Sequence, residues 1–299
     1  MIWSIMGVAS KVLYLAGMAA VIGGAGAYLL FLSANMILVR KILGYVVTFA
    51  AIGMFGSVTY FMSQIGMLND AGLMGMFDRS MAGMLMDTSL GTASFYRIVG
   101  FLTAISVWLV VFYDSRDERL SISNPLMILV LLIIGGGIFA WSTTVTGHVS
   151  TLDLVTRTVL GVHILAVFAW IGSLWPLRTI CSFGDSETLA LIMKRYGNIA
   201  AWIVTALILS GLWMVFQLLN EPEAILASAY GRVLALKIVV VTGALAIAAR
   251  HKYSLVPGLI NASAARRLQW SIDMEIGVVL LVVLVTAILT TVVGPEMDH

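Results

Sequence analysis

Long apolar stretches alternate with short polar ones along this chain. Apolar runs lie near 11–32, 42–64, 95–113, 125–146, 157–177, 197–219, 230–250 and 271–293. Their lengths are close to the roughly 20 residues a helix needs to cross the hydrocarbon core, about twice the span of a barrel strand. The pattern predicts an all-α polytopic membrane protein with eight transmembrane helices in a single membrane domain, 1–299. Turn signals support the joints: "SNP" at Ser123–Pro125 precedes the fourth run, "NEPE" at Asn220–Glu223 follows the sixth, and "VGPE" at Val293–Glu296 ends the last. The first run, Leu13 to Leu32, exceeds the 7–15 apolar residues of a signal peptide and is expected to be a retained span.

Composition agrees. Hydrophobic residues make up 61% of the chain and charged residues 11%, against about 25% charged in soluble domains. One cysteine, Cys181, excludes an internal disulfide and reads as a buried small residue. The placement of charge carries more than its sum. Eleven of the 17 Lys and Arg residues, among them Arg40, Lys41, Arg266 and Arg267, follow runs 1, 3, 5 and 7. The positive-inside rule then puts those loops in the cytoplasm and both termini on the outer face.

The second half echoes the first. "TSLGTASFYRIVGFLTAI" from Thr88 is similar to "SAYGRVLALKIVVVTGAL" from Ser228, "LYLAGMAAVIGG" from Leu13 to "VHILAVFAWIGS" from Val162, and "TTVTGH" from Thr143 to "TTVVGP" from Thr290. Four spans separate the copies, so 1–148 and 149–299 are expected to be two degenerate, parallel four-helix repeats.

Two of the four histidines fall where chemistry is expected. His148 follows Gly147 at the outer mouth of the fourth run, and His163 lies a short way into the fifth, which runs back beside it. In the repeat alignment neither has a histidine counterpart: Pro295 stands opposite His148 and Tyr14 opposite His163. Two imidazoles on adjacent antiparallel helices can converge on one metal, and imidazole suits copper and zinc. His148 and His163 are therefore the candidate metal ligands, although either could instead be a solvated or hydrogen-bonded structural histidine. Asp153 and Arg157 read as an i,i+4 surface ion pair.

Seven of the 17 methionines lie between positions 62 and 86. Thioethers suit monovalent copper, so Met67, Met74, Met76, Met81, Met84 and Met86 could collect it on the outer face, as could Met297 and His299 at the C-terminus. The competing reading is an interfacial helix, since Met74, Phe77, Met81 and Met84 form an apolar stripe. Glu275 is expected to be a charge snorkelling at the start of the last run, and Arg97 and Lys237 are expected to snorkel at the outer face. No paired intramembrane carboxylates, nucleophile–base spacing or phosphate-binding loop stands out. No enzymatic activity and no nucleic-acid binding is expected.

"TGH" at Thr146–His148, "HILAVFAWIGSLWPL" at His163–Leu177, "YGRVLALKIVVV" from Tyr230, "LVP" at Leu255–Pro257 and "MEIGVVLLVVLVTAILT" from Met274 resemble the copper-resistance protein D family of bacterial inner membranes. The resemblance implies a multipass protein of the bacterial inner membrane with eight spans, handling copper on the periplasmic side together with a soluble periplasmic copper carrier. It carries over His148 and His163 as copper ligands. Tyr14 stands where the first span could have held a histidine, and His251 falls on the cytoplasmic side. The implied function is uptake of periplasmic copper for import or transfer to a partner. The alternatives are a b-type haem electron carrier, which needs two imidazoles at similar depth, and a scaffold or sensor with structural histidines.

Overall fold

The computed structural model describes residues 2–31, 36–69, 71–114, 125–147, 152–183, 186–218, 229–259 and 262–293. Among them there is no strand. The helices are α1 (Ile2–Phe31), α2 (Met36–Leu68), α3 (Arg79–Met86), α4 (Ser89–Asp114), α5 (Pro125–Thr144), α6 (Leu154–Phe183), α7 (Ser186–Leu218), α8 (Ala229–Arg250) and α9 (Ala262–Ile288). Among the described residues, all but α3 and α5 are long and apolar enough to cross a membrane, giving seven such helices there where the hydropathy pattern predicts eight. The apolar stretch of α5, Ile128–Thr144, is shorter. Ser142, Thr143 and Thr144 bond back to the carbonyls of Phe139, Ala140 and Trp141 as α5 ends, and Gly147 follows at φ 78°.

Several helices extend past their apolar runs, because polar first and last turns are invisible to a hydropathy window. The effect that matters for the site is at α9, which begins at Ala262 rather than near 271. Glu275 therefore lies more than three turns inside the helix. Beyond Arg250, α8 continues through a π turn, His251–Leu255, into a 3-10 turn at Val256–Gly258. Wide turns of this kind recur at functional sites.

α1 is the hub, packed against α2, α6, α5 and α9. Lipid tails are as apolar as leucine, so helices associate in a bilayer through close packing of small residues. Two crossings show this. A Cβ on Gly17 would sit 2.6 Å from the Gly53 Cα of α2. At the second crossing, Gly23 of α1 meets Gly172 of α6, where a Cβ on either would run into backbone. Pro176 lies inside α6 and has no N–H for the carbonyl of Gly172, four residues earlier. That carbonyl instead accepts the Tyr45 hydroxyl of α2 at 3.2 Å, while the Tyr45 ring stacks on Trp175. A freed backbone group at membrane depth is thus satisfied by a neighbouring helix.

Candidate metal centre and a buried acid–base cluster

His163 lies in α6, nine residues after Leu154, and is half-buried against α7. Its Nδ1 is 3.1 Å from Ser210 Oγ, and Gly211 leaves room for the ring: a Cβ there would meet the imidazole Cε1 at 3.4 Å. Ser210 has a single hydroxyl proton, and it goes to the carbonyls of Ala206 and Leu207. Its oxygen must then accept from His163, so Nδ1 carries the ring hydrogen and Nε2 keeps a lone pair. This is the arrangement by which a second partner sets the tautomer of a metal-binding histidine. Lys237 of α8 is partly buried and close enough for its charge to act on the ring. His148, Met297 and His299 lie outside the described residues. Among those described, no group of three or more His, Cys, Asp and Glu is placed to hold a metal.

Seven residues further along α6, about 10 Å down the helix axis, Trp170 opens a second polar centre. Its indole Nε1 donates to Glu275 Oε1 of α9 at 2.9 Å. Glu275 Oε2 faces His251 Nδ1 at 3.1 Å, and His251 Nε2 contacts Ser271 Oγ at 2.8 Å. Glu275 is only 1% exposed, so it does not snorkel. The sequence reading placed it at a membrane edge because the apolar run starts beside it; the true start of α9 puts it in the core. A carboxylate is tolerated there because two donors hold it. Tyr196 of α7 completes the surroundings: Ser173 donates to the Trp170 carbonyl, so the Tyr196 hydroxyl donates to Ser173 Oγ at 2.7 Å. A sequence signal for this cluster existed in Trp170 and Glu275, both beside apolar residues, but His251 stands between Arg250 and Lys252 and the pairing was not legible.

Other polar residues also moved from their expected places. Arg97 is 3% exposed and stacks its guanidinium 4.5 Å from the centre of the Tyr14 ring, donating to the Ser142 carbonyl at 3.3 Å. It does not reach the surface: the Tyr14 ring and a carbonyl at the end of α5 hold it inside, while its Nε and Nη1 are buried without a hydrogen-bond partner. Asp153 and Arg157 form no ion pair. Asp153 accepts from the amides of Val155 and Thr156 at the start of α6, and Arg157 lies over the Trp141 ring. Bonding from Thr156 holds the Asp153 carboxyl below the usual range. In the methionine-rich segment, Asp78 caps α3 through the Met81 amide, and Met74, Phe77 and Met84 are 77%, 60% and 57% exposed. Cys181 is buried and free.

Residues 190–289 match the family model of copper resistance protein D. The matched third of the chain supports the resemblance seen in the sequence and points to a role in copper resistance or homeostasis for a multi-pass membrane protein. No curated protein and no solved structure matches the chain. The matched region takes in nearly all of α7 and the whole of α8 and α9, and so contains Ser210, Lys237, His251, Ser271 and Glu275; His163 and Trp170 precede it.

Proposed function

We propose that this protein takes copper from the periplasmic side of a bacterial inner membrane, for import or for transfer to a soluble periplasmic carrier, without enzymatic activity. His163 and His148 are the ligands. One observation supports the reading most directly: Ser210 fixes His163 with its Nε2 lone pair unprotonated, the state in which imidazole binds metal. A cargo site must also let go. Lys237 of α8, when protonated, opposes a cation on His163 and so favours onward transfer. The proposal includes eight spans in two parallel repeats, with α5 as the fourth and both termini outside. At about 30 Å, α5 can just cross the hydrocarbon core, and it packs between α1, α4 and α6.

Metal analysis of protein purified in lipid tests the ligands. Copper bound by the wild type should fall on His163→Ala and on His148→Ala. Unchanged copper stoichiometry in both variants would leave the histidines structural and end the proposal. Cysteine labelling from either side of the membrane checks the topology.

A further inference from the structure

A cavity of about 330 Å³ opens at the end of the bundle where α8 finishes and α9 begins. Arg250, Arg266, Arg267 and Trp270 line it, and so does Ser271. Ser271 is the same side chain that touches His251 Nε2, and His251 in turn meets Glu275 through Nδ1. A hydroxyl, an imidazole and a carboxylate are therefore hydrogen-bonded in series, from a cavity edged by three arginines to a group buried in the membrane core. We propose that Ser271, His251 and Glu275 form an intramembrane proton-binding site that exchanges one proton with solvent in this cavity.

The geometry allows a balanced transfer. In the loaded state His251 is an imidazolium donating through Nδ1 to the Glu275 carboxylate and through Nε2 to Ser271 Oγ. On release, the Nε2 proton passes to Ser271 Oγ while the Ser271 hydroxyl proton passes to a cavity water, which becomes hydronium. His251 is left neutral, with Nδ1–H still bonded to Glu275. No bond other than these O–H and N–H bonds is made or broken, and the net change is one proton. Ionisable groups at membrane depth are costly and mark proton pathways when they occur in hydrogen-bonded chains.

The same order of groups serves a serine nucleophile elsewhere, but Ser271 sits inside α9, where the neighbouring amides are committed to the helix. No backbone donors remain for an oxyanion, so the series suits protons and not acyl groups. The charged surroundings are accounted for on every side. From α6 come Trp170 and Ser173, with Arg178 paired to Asp273 of α9. From α7 comes Tyr196, while Lys252 after α8 donates to the Gly197 carbonyl. Arg250, Arg266 and Arg267 stand at the cavity. α1 also packs on α9, but its one charged residue, Lys11, reaches Thr290 at the opposite end.

Solid-state NMR of protein labelled with ¹⁵N-histidine, in lipid and without copper, tests the site independently of the copper reading. His251→Gln assigns the signal. Across the pH range in which the protein stays folded, the His251 ring of the wild type should pass between imidazolium and neutral forms. Ser271→Ala should retain both forms but slow their exchange by about tenfold or more, and Glu275→Gln should lose the imidazolium form. A His251 ring held in one protonation state across that range overturns the proposal, as does unchanged exchange in Ser271→Ala. Should Glu275→Gln not fold, the wild type and Ser271→Ala still decide. His163→Ala is expected to leave the His251 titration in place.

Discussion

Replacing His251 with alanine puts a number on how firmly the buried carboxylate depends on its partner. Glu275 is 1% exposed and has two donors, Trp170 Nε1 on one oxygen and His251 Nδ1 on the other. Removing the imidazole leaves a carboxylate with one donor and no solvent to replace the other. Breaking a buried ion pair from one side costs about 3–5 kcal/mol, far more than a surface pair would. The truncated ring also leaves a void, which adds to the loss. The second substitution, Glu275→Gln, removes the charge but keeps an oxygen that can accept from Trp170. Placed on top of His251→Ala, it should recover about 2 kcal/mol or more, within the range of coupling between contacting residues. Unfolding of both single variants and the double variant, titrated with SDS in mixed micelles and followed by tryptophan fluorescence, yields this coupling. Additive losses, or a His251→Ala protein within about 0.5 kcal/mol of the wild type as surface substitutions are, would refute the reasoning: the pair would then not be an energetic unit.

Two further outcomes are expected. Ser210→Ala frees the His163 tautomer without touching the metal-binding nitrogen, so copper affinity measured by competition with a chelator should fall by about 10–100-fold while the fold persists. Gly172→Ala should destabilise the bundle by at least about 1–3 kcal/mol through backbone overlap with Ala19 of α1, whereas Gly137→Ala, which meets nothing within 4 Å, should leave thermal stability in lipid nearly unchanged.

What the sequence disclosed and withheld follows from the range of each signal. Hydropathy is summed over windows, so the all-helical membrane architecture was plain from the apolar runs. The same averaging hid helix ends, and with them the depth of Glu275. Arg97 and Glu275 were both read as surface groups because a charge next to an apolar run carries no record of what lies beside it on another helix. Tyr14 and Ser142 contact Arg97, and His251 and Trp170 hold Glu275, across separations in sequence that periodicity cannot bridge. His163 was legible as an intramembrane imidazole, but its tautomer depends on Ser210, 47 residues away.

The crossing of Gly23 and Gly172 has a consequence for how the molecule can move. With backbone against backbone there, α1 and α6 have no side chains that could slide or re-pack, so the wall carrying His163 is anchored to the hub. α8, by contrast, leans mainly on α9 and is the most lipid-facing of the crossing helices. Rearrangement around His163 is therefore resisted at the α1–α6 crossing and least constrained toward α8.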